Sequence, residues 1–476
     1  MIIAKALRWY DFSKGARYDK PEHLLEEGEV PHINNFILKE DQKLWVRKGL
    51  ARHIPSFFSS PVKGLYRTSV GSQIPYLLVV AGGTVYKVSD YSPSWNPVLS
   101  GLFDANDFYF DTYLDKVFFT NGANYLYVWD GETAVPVTEA HPGCQFVQHY
   151  ADRLFIASSY DNPDTLFYSE LFDYQKWEDP ETEITNLINV SPGDDERITG
   201  IIRTQDHLTI FKTKGIFYLR GYDPEEWILQ RVTDDLGCIA PRSIVQMDGR
   251  TIWLSNRGVY MDDGEYFYQI GAAIQPVLQE ISPERLAKAF AFSRSWYYYL
   301  FVPVEDGTEV FVYNVRTESW FRWFFSGKTF SVGVPANLPR DERTWFVGSA
   351  TNSLVYEGEV ENGTDDGVPY TAALRLPMIG NFSKEANYDL RRVALDYSGE
   401  AVPSVSVTYH LKPSFATTVD RTVPGSGEAG EGGGVISLPP RPVPAISIQI
   451  QTPGDENWHL NGVAAEVRIK RSVWRR

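Results

Sequence analysis

Two stretches decide how this chain is read: Leu208–Gly221, LTIFKTKGIFYLRG, and Thr251–Gly264, TIWLSNRGVYMDDG. Each is a short apolar run, a tight reversal, and a second run that carries a tyrosine near its end. Runs of four to six apolar residues suit a strand buried on one or both faces. The turns hold Gly215 and Gly258, residues that reverse a chain tightly. Working outward, the same unit recurs from Tyr76 (YLLVVAGGTVYKV), Val117 (VFFTNGANYLYVWDG) and Arg153 (RLFIASSYDNPDTLFYS). It returns from Tyr297 (YYYLFVPVEDGTEVFVYN) and Thr344 (TWFVGSATNSLVYEG). The seven starts lie 41, 36, 55, 43, 46 and 47 residues apart, which matches the spacing of four-stranded propeller blades. The tyrosines Tyr86, Tyr127, Tyr168, Tyr218, Tyr260, Tyr313 and Tyr356 close the second runs and suggest one shared packing slot.

The composition agrees. The chain has 28 Tyr, 27 Phe and 13 Trp against 4 Met, and aromatic residues favour a pleated, half-buried surface. The expected fold is therefore all-β: a β-propeller of about seven blades at 56–362, an N-terminal extended arm at 1–55, and a C-terminal β-sandwich at 363–476. The strands expected in that last region are Leu390–Tyr397, Val405–Leu411, Ala445–Gln451 and Gly462–Lys470, with a glycine-rich loop at 424–434. Ser282–Phe290, with Ser before Pro283, reads as a short helix between blades. Divergence between units leaves a sandwich or barrel as the competing architecture.

Formal net charge is −16, which opposes a protein that grips nucleic acid through phosphates. The basic exception is the C-terminal end, Arg468, Lys470, Arg471, Arg475 and Arg476. Cys144 and Cys238 stand alone, without metal-ligand spacing, and suggest a reducing compartment. The segment from Met1 to Leu7 does not read as a signal peptide, and no apolar run is long enough to span a bilayer, so assembly in a cytoplasm is expected.

The sequence carries no HExxH, GxSxG or phosphate-loop motif, and its eight His are scattered. Acidic groups occur at Asp104, Asp107, Asp111 and Asp115, at Asp194, Asp195 and Glu196, and at Asp262, Asp263 and Glu265. A glycosidase needs two carboxylates across a cleft. These acids read instead as turn residues, so no enzyme, cofactor or metal site is expected. Asn362–Gly367 lacks the closing glutamate of a calcium loop.

The succession QHYADRLFIAS (148–158), TLFYSELFDYQKWED (165–179), ERITGIIRTQDHLTIFKTKGIFYLRGYDPEEW (196–227) and TIWLSNRGVYMDDG resembles the tail nozzle or hub proteins of short-tailed bacteriophages. Those called packaged-DNA stabilisation proteins belong to that group. INNFILKEDQKLWVRKGLARH (33–53) is similar to that family's opening arm, and HLNGVAAEVRIKR (459–471) to its last strand. The resemblance implies a virion component: a homo-hexameric ring beneath portal and adaptor rings, with DNA passing along the ring axis and no catalytic residues. An acidic lumen would let DNA slide. The alternatives are a glycan-binding propeller and, behind it, a propeller glycoside hydrolase. Trp9, Tyr10, Phe36, Ile37 and Trp45 in the arm, with Arg468, Lys470 and Arg471, are the candidate partner contacts.

Overall fold

The computed structural model describes residues 2–53, 60–71, 75–89, 94–179, 181–336, 345–381, 386–412, 414–423, 432–455 and 457–471. Among them strands predominate, and the longest helix is Gln275–Gln279. The helix expected near Ser282 spans Pro283–Leu286, with Ser282 making no side-chain cap bond.

Seven antiparallel sheets succeed one another between Val62 and Val360. Their first strands are Val62–Thr68, Tyr109–Tyr113, Phe146–Tyr150, Ile198–Arg203, Val245–Met247, Phe290–Arg294 and Phe330–Pro335. The seven repeated hairpins are the two middle strands of these sheets, for example Leu208–Lys212 with Ile216–Arg220. The turn glycines matter where the neighbouring backbone is close. Gly83 has φ +65°, and a Cβ there would lie 2.2 Å from the Leu102 carbonyl oxygen.

Each sheet buries apolar side chains against the next. Leu78 and Val80 of the first sheet meet Val117 and Phe119 of the second. Phe211 and Tyr218 of the fourth meet Trp253 of the fifth. Fully burying one such side chain stabilises the fold by about 1.5–3 kcal/mol. The seventh sheet packs on the first: Val332, Phe346 and Val355 share a core with Val62, Leu65, Leu77 and Val79.

The tyrosines do not share one slot. Tyr127 packs toward the preceding sheet, whereas Tyr168, beside Trp227, and Tyr218, beside Trp253, pack toward the following one. Side chains alternate along a strand, so an offset of one residue reverses the face. Tyr218 is buried, while Tyr260 is only half-buried.

Residues 2–53 are not a free extended arm; they are paired within the chain. Gly49–Arg52 lies beside Val355–Val360 as the fourth strand of the seventh sheet. Gly15–Ala16 extends the sixth sheet. His32–Asn34 joins Thr371–Arg375, and Leu44–Val46 joins the strand His459–Arg471. Two six-stranded sheets of terminal residues thus form around one core, which includes Ile33, Phe36, Leu44, Leu374, Leu395, Val407, Ile448, Trp458 and Leu460. Tyr397 stacks on Trp458 within it. The four C-terminal strands expected from the sequence are matched in place by Ala386–Ser398, Ser404–Lys412, Ala445–Pro453 and His459–Arg471. Of the glycine-rich loop, 424–431 lies outside the described residues and the rest begins the strand Gly432–Ser437.

Candidate interaction surface and axial cavity

Seven of the eight candidate contact residues lie on strands of one terminal sheet, and the eighth, Tyr10, directly follows one of them. The strand Ile2–Trp9 runs antiparallel to His459–Arg471, setting Trp9 opposite Val463, Ala4 opposite Arg468 and Ile2 opposite Lys470. Arg471 pairs through its backbone with Ala386 on the other side. Among the described residues, the second edge of Ile2–Trp9 has no partner strand. Lys5, Arg8, Tyr10, Arg468 and Lys470 are exposed, while Trp9 is half-buried. The Tyr10 ring lies over Gly462, where a Cβ would come within 2.1 Å of it.

Phe36 and Ile37 are not contact residues. Both are buried in the core, because their short strand is covered by the terminal sheets and by the sixth sheet. Trp45 is half-buried and already engaged. It stacks on His459 at 4.2 Å, carries the Lys39 ammonium 3.8 Å over its ring, and donates its indole N–H to Asp41.

Sequence reasoning missed a second open edge. Phe415–Thr422 borders the other terminal sheet and, among the described residues, pairs only with Ser404–Lys412. Seven of its eight residues are exposed, Phe415 to 58%. Its one signal is a threonine-rich alternation with few apolar positions, too weak to mark a strand.

The first strands of six of the seven sheets border one shared cavity. This cavity of about 230 Å³ is walled by residues of those six strands, among them Tyr66, Phe110, Gln148, Ile201, Ala291 and Val332, and by Ile244 just before the fifth sheet. Arg242, before the fifth sheet's first strand, reaches across one end. It donates to the carbonyls of Ser331 (2.8 Å) and Lys63, and its guanidinium lies 3.5 Å from Asp107.

The other end holds a polar cluster. Asp111 is not a turn residue. It sits on Tyr109–Tyr113 and is almost fully buried, because the aromatic run around it makes a strand. Its carboxylate accepts from the His149 ring nitrogen Nδ1 at 2.7 Å, from the His149 backbone and from Gln148. The other His149 nitrogen faces Arg203. Burial, then the Asp111 charge, pushes the Tyr66 hydroxyl up to about 12.

The remaining acids have ordinary employment. Asp104 and Asp115 are exposed outside strands, and Asp263 caps a turn through the N–H groups of Glu265 and Tyr266. Asp194 pairs with the buried Lys212 at 2.6 Å. Asp262 accepts from the Tyr218 hydroxyl at 2.6 Å, and burial raises its carboxyl above the usual range. Among the described residues no three His, Cys, Asp or Glu cluster as metal ligands. Cys144 and Cys238 are unpaired and buried, which pushes both thiols up, Cys238 to about 12. No described helix is long and apolar enough to cross a membrane.

No family model matches the chain, and no curated protein matches it. Among solved structures, the AfRom2 CNH domain is 10% identical, with 66% of this chain and 100% of that one covered, at a TM-score of 0.42. The computationally designed protein Ika8 is 9% identical, with 65% and 99% covered, at 0.40. At these scores neither likeness bears on what the chain does.

Proposed function

We propose that this chain is a non-enzymatic structural protein: a closed seven-bladed β-propeller with a terminal β-sandwich, assembling into a ring. The sequence resemblance makes that ring a nozzle or hub of a short-tailed phage virion. In this reading it sits below portal and adaptor, retains packaged DNA and forms part of the ejection channel. Closure is supported by the core that joins the seventh sheet to the first, which an open stack would leave exposed.

The observation that carries assembly is the pair of open edges, Ile2–Trp9 and Phe415–Thr422, on different terminal sheets. An unpaired strand edge is a template for another chain. Two different edges on one subunit suit the head-to-tail contact that a ring needs. DNA would pass between copies, since Arg242 crosses the axis of each propeller.

Electron microscopy of the purified protein tests this directly, with six-fold rings expected. Removing residues 2–8 should abolish rings while leaving the circular dichroism spectrum and melting temperature nearly intact. A protein that stays monomeric at its highest soluble concentration, and on portal–adaptor complexes, would sink the proposal. The exposed pair Tyr266 and Tyr268, 6.4 Å between ring centroids, sustains glycan binding as a second reading, to be tested on a glycan array.

A further inference from the structure

On the Arg242 side the axis opens into a funnel whose charge contradicts the rest of the molecule. The chain has 61 acids against 45 bases. The larger hollow there, about 670 Å³, is walled by Lys63, Arg242, Arg285 and Lys288, with Asp107 as the one carboxylate among its described lining residues. A second hollow of about 340 Å³ shares Asp107, Arg242 and Lys288 with the first and adds Arg197. The two form one basin.

The four cations of the larger hollow come from three parts of the chain and are held differently. Lys63 is the second residue of the first sheet's first strand and lies 3.7 Å from Asp107. Arg242 is anchored at the floor by the two carbonyls and by Asp107, its side chain 11% exposed. Arg285, on the short helix Pro283–Leu286, and Lys288, just after it, make no ion pair among the described residues. One carboxylate already shared by two cations cannot neutralise four. Like charges facing one another across a concave, low-dielectric wall repel, and an anion between them removes that cost.

We propose that this basin binds a small ligand carrying a phosphate group. A dianion matches the uncompensated charge, and a hollow of several hundred Å³ is the size of small-molecule sites. Arg242 supplies a fixed positive floor, while Arg285 and Lys288 close over the ligand from the rim. Pro61, Pro303 and Val304 offer an apolar side wall to the ligand's body.

Isothermal titration of the full chain at low salt, with inorganic pyrophosphate and separately with a sugar phosphate, tests this. Saturable one-to-one binding is expected, weakened about tenfold or more by Arg285→Gln with Lys288→Gln, since each removes a charged contact. Both residues are outside the cores, so the double variant should fold, checked by its melting curve. Tighter binding of the sugar phosphate would mark an organic ester as the ligand, and equal binding would mark the free anion. Absence of saturable binding by both probes overturns the proposal. So does unchanged affinity in the folded double variant, or a single-stranded oligonucleotide that binds more tightly than either probe.

Discussion

Replacing Arg47 by methionine should be among the most damaging single changes in this chain. Arg47 is buried and joins three parts of the fold. Its guanidinium makes a two-pronged pair with Asp365, at 2.8 and 2.6 Å, on the strand beside Gly49–Arg52. Its Nε donates to Asn35 Oδ1 at 2.9 Å, and Asn35 in turn bonds the backbone of Phe324 and Thr371. The planar group lies between the rings of Phe325 and Tyr370, 4.3 and 3.8 Å from their centroids. The variant keeps most of the packing but leaves the Asp365 carboxylate buried without its cation. Breaking a buried pair in this way costs about 3–5 kcal/mol. With an unfolding entropy of about 2.1 cal/mol/K per residue, the whole chain unfolding together would lose only about 3–5 °C in Tm. Guanidinium denaturation followed by tryptophan fluorescence is the better measure. Arg47→Met with Asp365→Leu removes both charges and should be less destabilised than Arg47→Met alone. A single variant within about 1 kcal/mol of the parent, or a double variant that loses the full sum, would refute the reasoning.

Acid should weaken the fold before the carboxylates titrate. Burial, reinforced by nearby arginines, holds the His32 and His207 imidazoles at about 4, below their ordinary 6.5. The unfolded chain therefore binds more protons between about pH 6.5 and 4, so stability is full above that window and falls as pH drops through it. Denaturation midpoints across that range should show the slope, flattened in His32→Asn with His207→Asn. Gly358→Ala should cost about 1–3 kcal/mol, read by the same assay, because its Cβ would lie 2.0 Å from the buried Trp345 ring. Deleting residues 1–53 should give insoluble or protease-sensitive protein, since it strips a strand from the seventh sheet and Ile33, Phe36 and Leu44 from the core. A folded propeller surviving that deletion would show that the terminal pairing is dispensable.

The repeat was readable because each hairpin is a local object: its apolar runs and its turn lie within about fifteen residues of each other. Gly49–Arg52 was not. Four residues, GLAR, carry no strand signal of their own, and the partner that makes them a strand begins at Val355. Phe36 and Ile37 were misplaced for the same reason, as apolar residues in a polar segment look like anchors until distant sheets are seen to cover them. Asp111 was misread because it was grouped with neighbouring acids as a turn residue, although the aromatic run around it forms the strand Tyr109–Tyr113. Arg242 gave no signal, since its partners are backbone carbonyls of the first and seventh sheets.

The long separation between paired strands sets a clock on synthesis. Trp45 pairs with His459, more than four hundred residues later. At about 5–20 residues per second, a ribosome needs roughly 20–80 s to deliver that partner. Meanwhile Ile33, Phe36, Leu38 and Leu44 wait without a core, and the seventh sheet cannot acquire its fourth strand until Val355 emerges. Residues 2–53 are thus made well before, and secured only after, the strands that hold them. They are the segment a nascent-chain chaperone would be expected to hold, and the one through which overexpression would drive aggregation.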